Sequence, residues 1–212
     1  MRSLIDAHRK TWNREFSRSV TWGVIFFLAS LVPNYLATTY ATERASMPVT
    51  DLILSNIRVY DVDGIIIYGA VLLIIFSILV LFYDPKRIPF TLKALALFIV
   101  IRSIFVSLTH LGPFSPQDVI DSTHIFNFLG FGTTADLFFS GHTGIPFLLA
   151  LIYWNNIKLR WTYLAISAVF AVSVLLGHLH YSIDVLAAFF ITYTIFHIAQ
   201  KLFADDWQLS IT

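Results

Sequence analysis

Long apolar runs separated by short polar breaks dominate this chain. Six of them approach the roughly 20 residues that a helix needs to cross the hydrocarbon of a bilayer. They run from Val20 to about Tyr40, Gly64 to Tyr83, Leu92 to Leu111, Leu137 to Trp154, Trp161 to Leu179, and Ser182 to Phe203. The fourth is short and opens on polar residues. The fifth and sixth are joined only by a tight turn, Gly177-His178-Leu179-His180-Tyr181-Ser182-Ile183-Asp184. The pattern predicts an all-α integral membrane bundle of six transmembrane helices. Residues 1–19 form a cytoplasmic N-terminal segment, 20–204 a six-helix catalytic domain, and 205–212 a short C-terminal tail.

The breaks orient the spans. Arg2, Arg9, Lys10, Arg14 and Arg18 precede the first; Lys86, Arg87 and Lys93 follow the second; Lys158 and Arg160 follow the fourth; Lys201 lies near the C-terminus. An even number of spans with both termini cytoplasmic puts all of these on one side. The opposite loops carry only Arg44 and Arg58. The longest of those loops, 112–136, contains Ser115-Pro116-Gln117-Asp118, a Ser N-cap followed by Pro and an acid three residues on. With Val119, Ile120, Ile125, Phe126 and Phe128 behind it, this predicts a short interfacial helix between spans three and four. Trp22, Tyr40, Trp154 and Trp161 fit an aromatic belt.

Composition agrees. The chain is 57% hydrophobic and 13% charged, with a mean hydropathy of +0.74. Soluble domains have about 45–50% apolar and about 25% charged residues. A net charge of +1 gives no case for nucleic acid. The absence of cysteine excludes disulfides, thiolate metal sites and a cysteine nucleophile.

Against this apolar background the informative residues are the polar ones inside the spans. Arg102 sits in span three, roughly 10 Å below its outer end. Asp136 and the run Ser140-Gly141-His142-Thr143 lie at the outer end of span four. His178, His180, Tyr181 and Asp184 lie at the turn between spans five and six, on the same surface. A carboxylate four residues after an imidazole, on one helix face, can accept its N–H and leave the other ring nitrogen electron-rich. That arrangement turns His180 into a nucleophile or base oriented by Asp184. His142 supplies a second imidazole, as an acid for a leaving alkoxide and then a base for the incoming alcohol or water. Ser140, Gly141 and Thr143 at a helix start offer backbone N–H groups to a phosphate, and Arg102 a bidentate cation. Asp136, His178 and Tyr181 are further candidates.

The pieces Asp136-Leu137-Phe138-Phe139-Ser140-Gly141-His142-Thr143 and His180-Tyr181-Ser182-Ile183-Asp184-Val185 resemble the two signature segments of the sphingomyelin synthase branch of the type 2 phosphatidic acid phosphatase superfamily. The stretch from Arg102 to Pro113 resembles a third segment more weakly. The resemblance implies six spans and a phosphohistidine at His180, oriented by Asp184. His142 would protonate the diacylglycerol leaving group and then deprotonate the acceptor, with no metal and no other cofactor. Implied partners are a phospholipid donor, an acceptor lipid such as ceramide, and the bilayer. Two departures stand out. The broader superfamily has an Arg six residues before the last His, where this chain has Val174, and its upstream Lys-to-Arg-Pro segment is missing. Thr134-Ala135 stands where the branch has Cys-Gly.

The active site is therefore expected on the periplasmic, lumenal or exoplasmic face. Competing readings are hydrolysis of a phosphatidic-acid-like lipid, a His/Asp metal site, and a non-catalytic lipid transporter. The last would favour an internal repeat, which the chain lacks. The bland reading of each residue is structural: Arg102 as a strut to Asp136, His180–Asp184 as a capping pair, His178 as a solvated turn residue.

Overall fold

The computed structural model describes residue 8, residues 11–114 and residues 137–211. The expected interfacial helix after Ser115, and Asp136, lie outside the described residues. All regular structure in the described part is helical.

Helix α1 (Arg14–Glu43) starts at Asn13, whose Oδ1 accepts the Phe16 amide at 2.8 Å. Its inward stripe is small: Gly23, Ser30, Ala37 and Ala41 are buried. Small residues let backbones approach closely, which drives helix pairing where lipid removes the hydrophobic force. Accordingly α1 packs along α3 (Ile88–Leu108), and a Cβ on Gly23 would lie 3.2 Å from Leu92 Cβ. Helix α2 (Asp63–Tyr83) buries only Ile66, Leu73 and Val80, one residue per two turns. That narrow seam faces α5 (Ile157–Leu176), where Phe76 meets Tyr163 and the Tyr163 hydroxyl reaches Ser77. Its other faces present Leu72, Ile78 and Leu79 outward, as lipid contact requires.

The centre of the bundle is α3, α4 (Gly141–Ile152) and α6 (Ser182–Leu202). They converge at Gly144, where an added Cβ would lie 2.8 Å from the Phe98 ring and 2.9 Å from Thr192 Oγ1. Glycine is required there by the closeness of three helices. At the far end of α4 the Arg87 guanidinium bonds the Ile152 carbonyl, lies 4.7 Å from the Tyr153 ring centre, and pairs with Asp84 at 2.8 Å.

Five helices, α1, α2, α3 with its leading turn at Pro85, α5 and α6, are long and apolar enough to cross a membrane. The fourth expected span departs from this. Of the run Leu137–Trp154 only 12 residues are helical, about 18 Å of rise against about 30 Å of hydrocarbon. The cause lies at its start, where residues 137–140 are non-helical and enter the protein, with Leu137, Phe139 and Ser140 buried.

A second departure concerns the C-terminus, expected as a tail over 205–212. Residues Ala204–Ile211 form a helix, α7, that folds back under the bundle. Trp207 packs tilted against Phe90 and edge-on against Phe196. Asp206 takes Lys93 Nζ at 2.5 Å and Ser19 Oγ at 2.5 Å. Lys93, counted above as a loop charge, is a buried residue of α3.

Both members of the Lys93–Asp206 pair are nearly buried, so removing one leaves an uncompensated charge. Asp206→Ala should destabilise the protein by roughly 3 kcal/mol. The double variant Lys93→Met, Asp206→Leu should recover most of that loss. Thermal unfolding in detergent checks both.

Candidate active site

The site is built on the buried start of α4. Non-helical backbone at membrane depth must find its hydrogen bonds within the protein. Arg102, six residues short of the end of α3 and 6% exposed, donates from Nε to the Phe139 carbonyl at 3.1 Å. The Ser140 amide donates to the Asp184 carbonyl at 3.2 Å. Phe139 itself adopts φ 29, a left-handed conformation that costs a non-glycine residue free energy and persists only where its surroundings hold it. Ser140 then caps α4: its Oγ accepts the Thr143 amide and its carbonyl the Gly144 amide. The amide of Gly141, the first helical residue, stands outside the helical ladder. A Cβ built on Gly141 would meet only Arg102, 3.5 Å from Nε and 3.7 Å from Cζ. The guanidinium therefore lies against the open, electropositive end of α4.

The second element is the turn from α5 to α6. Helix α5 closes with a Schellman pattern: the Leu179 amide bonds the Val174 carbonyl and the His178 amide that of Leu175. His178 is the left-handed residue of that motif, at φ 52, where glycine is usual. Its ring packs on Phe114 at 5.3 Å, and Nε2 is buried with no hydrogen bond among the described residues. Two residues on, His180 is 7% exposed and its Nδ1 lies 3.4 Å from Asp184 Oδ2. The same oxygen accepts the Tyr181 amide at 3.0 Å. The pair was expected to share a helix face. Instead α6 starts at Ser182, so His180 precedes the helix and Asp184 reaches back to it as a capping carboxylate.

A third element was missed by the sequence analysis. The loop between α1 and α2 folds over this end of the bundle. Ser46 bonds the His110 carbonyl through both its amide and its hydroxyl. A Cβ on Gly112 would come within 2.0 Å of the Ser46 carbonyl oxygen, so only glycine fits there. Tyr181 is fully buried; its hydroxyl donates to the Gly112 carbonyl at 2.7 Å and accepts the Val49 amide at 3.2 Å. Asp51, 8% exposed, accepts the amides of Ile53 and Leu54 on Oδ1, and the amide and hydroxyl of Ser182 on Oδ2. Burial pushes its carboxyl up, but these hydrogen bonds outweigh it and hold the group below the usual carboxylate range. The folded-state value is depressed, so the stabilisation is complete above the ordinary carboxylate pKa. It is lost only as pH falls through the lower folded value.

These elements tie the two His segments together through Asp184, whose carbonyl takes the Ser140 amide and whose carboxylate faces His180, while the His142 ring packs edge-on against Phe170 at 5.7 Å. The hydroxyls of Ser140 and Thr143 take no part in that tie. Ser140 Oγ is used as the cap, and Thr143 is fully buried with Oγ1 unpartnered among the described residues. What remains of that segment for an anion is its backbone. Tyr181 and His178 hold structure: one ties the loop, the other turns the chain. Among the described residues no group of three or more His, Asp or Glu is arranged to hold a metal ion. Asp51 carried no local signal, since its partner Ser182 is 131 residues away.

Residues 133–201, about a third of the chain, match the family model described as PAP2 superfamily C-terminal. The matched span contains both His segments and supports the type 2 phosphatidic acid phosphatase superfamily. No curated protein and no solved structure matched the chain.

If His178 serves the turn, His178→Gly relieves the left-handed strain at the cost of its ring contact. Stability should stay within about 1 kcal/mol of the parent, while the β-branched His178→Val loses about 2 kcal/mol or more. Melting curves in detergent measure this. A folded His178→Gly protein stripped of all activity would instead place that imidazole in the chemistry.

Proposed function

We propose that this chain is a membrane enzyme that transfers a phosphate or phospho-alcohol head group from a phospholipid through a phosphohistidine at His180. The observation that supports the reading is the tie between the two His segments: the Ser140 amide donates to the Asp184 carbonyl, whose carboxylate faces His180, while Arg102 holds the Phe139 carbonyl and lies against Gly141, next to His142. The family match supports chemistry on lipid phosphates. The resemblance of the two His segments supports the synthase branch.

In this reading the lipid phosphate sits against the Arg102 guanidinium and the Gly141 amide at the start of α4. Charge that develops on its oxygens then meets donors already in place. His180 donates from Nδ1 to Asp184 Oδ2, which leaves Nε2 with its lone pair toward phosphorus. Attack forms the P–N bond and breaks the P–O bond to the glycerol. The His142 proton goes to the departing alkoxide, releasing diacylglycerol. His142, now neutral, takes the proton of the acceptor hydroxyl, whose oxygen displaces His180 from phosphorus. When the acceptor is the primary alcohol of a lipid such as ceramide, the product is a new phospholipid. Water at the same step makes the enzyme a phosphatase, the reading that the matched family's name favours. Val174 speaks for the synthase side: where the broader superfamily has an arginine, this residue is apolar and fully buried, which leaves Arg102 as the phosphate's cation.

The topology follows the charge bias. Residues 20–204 form the catalytic domain, with α4 and its buried lead as the fourth of six passes. Both termini face the cytoplasm and the site faces the opposite side.

Purified protein should release diacylglycerol from a fluorescent phosphatidylcholine or phosphatidic acid. His180→Ala should lower that rate by at least about 10³-fold, and His142→Ala by about 10²–10⁴-fold. Full activity of His180→Ala would end the proposal. Ceramide added to the same assay separates the two outcomes: a labelled ceramide phospho-ester marks the transferase, free phosphate or free head group the phosphatase. Survival of turnover in a chelator separates both from a metal enzyme.

Gly141→Ala tests the phosphate cradle. Its methyl group meets only the Arg102 side chain at ordinary contact distance, so the fold should stand. Turnover should fall about 10²-fold, because the methyl occupies the face on which the phosphate lies. A parental rate from this variant would move the phosphate elsewhere.

A further inference from the structure

Two carboxylates meet the N-terminus of α6, and they divide its donors. Asp184, inside the helix, takes the Tyr181 amide on Oδ2 and faces His180 Nδ1 with the same atom. Asp51, from the loop between α1 and α2, takes both the amide and the hydroxyl of Ser182 at 2.8 Å. Asp184 is fully buried, and its Oδ1 has no hydrogen bond among the described residues. A helix start with an unsatisfied amide draws the nearest free acceptor. Asp184 Oδ1, two residues along the same first turn, is such an acceptor.

We propose that Asp51 is a positioning residue for His180. By satisfying Ser182 from outside the helix, it keeps the Asp184 carboxylate turned to the imidazole instead of to the helix end. Without Asp51 the Ser182 amide and hydroxyl compete for Asp184, whose carboxylate rotates about its side-chain torsions and loosens its hold on His180 Nδ1. Asp51 is itself fixed by the Ile53 and Leu54 amides, so it does not travel with α6. Its Oδ1 bonds run within its own loop and its Oδ2 bonds reach across to Ser182, which ties the loop to the one helix start that carries the His180–Asp184 pair.

This inference rests on the phosphohistidine reading for its kinetic consequence, but its geometric content is testable apart from it. Asp51→Asn keeps the size and places an NH2 group against donors. Ser182→Ala removes one of the two donors to Oδ2 and is the milder variant should Asp51→Asn fold poorly. Expected for Asp51→Asn is a fall in kcat of about 10–100-fold, with KM for a short-chain phospholipid within about threefold. Ser182→Ala should shift kcat in the same direction by less. In detergent-solubilised protein labelled with ¹⁵N-histidine, the His180 Nδ1 resonance, assigned by loss in His180→Ala, should move in both variants while that of His197 stays. Wild-type resonances for His180 in both variants overturn the positioning role, whatever the activity. A parent protein inactive on every lipid phosphate, with His180 Nδ1 shifted in the variants, sinks the enzymatic reading and upholds the positioning of the imidazole.

Discussion

The decisive constraint is that α4 starts inside the bundle. A helix that begins at the bilayer surface has water for its first amides and for the carbonyls that precede it. One that begins at the depth of Arg102 must find every partner in protein. The Phe139 carbonyl takes Arg102, the Ser140 amide takes the Asp184 carbonyl, and the Ser140 hydroxyl caps the helix. These three bonds link α3, α4 and α6 at one point. They also explain why α4 is a turn or more too short to span alone, and why an arginine is tolerated in the middle of α3. A charged side chain at that depth is costly unless it serves protein or ligand groups, and here the Arg102 Nε secures the backbone that leads into α4.

From that point the geometry propagates. The Asp184 carbonyl fixes the lead into α4, while the Asp184 side chain fixes the turn that carries His180. One residue thus sets both helix starts, so the two imidazoles are referenced to a common frame. The loop between α1 and α2 closes the frame from outside through Ser46, Val49 and Asp51. The close approach at Gly112 lets that loop lie flat on the end of α3. At the opposite end α7 and the Arg87 cluster fasten the bundle independently.

Much of this was legible from residue order because a bilayer imposes simple rules. Five apolar runs became five long helices, and the polar residues within them marked the site. Arg102, His142, His180 and Asp184 stood out since nothing about membrane packing calls for them. What was not legible depended on partners far away in sequence. The start of span four looked weak, as a short run with polar residues, but its burial depends on Arg102 and Asp184. The charged segment after Phe203 read as a tail because Asp206 alone gives no hint of Lys93. Asp51 gave no signal, because its partner Ser182 lies 131 residues on. Ser140 and Thr143 were read as offering backbone N–H groups to a phosphate; the partners those amides take, the Asp184 carbonyl and the Ser140 hydroxyl, depend on the fold.

The distribution of unfavourable features argues for a site over a strut. Both left-handed non-glycine residues found among the described residues, Phe139 and His178, flank the two helix starts. Buried polar atoms without partners among the described residues occur at both ends of the bundle, but their chemistry differs. Four are hydroxyls, of Thr91, Thr143, Tyr153 and Thr192, neutral groups whose loss of a bond is modest. The other two, a carboxylate oxygen of Asp184 and a ring nitrogen of His178, sit at the turn into α6 and are groups that proteins rarely bury unpaired. A purely structural pair such as Lys93–Asp206 shows the alternative, with charge matched to charge and a hydroxyl completing the set. Selection for stability alone would have resolved the Asp184 end in the same way. An unpartnered carboxylate oxygen and two left-handed backbones lie at the starts of α4 and α6 among the described residues, and on the reading proposed above they belong to a site rather than to packing alone.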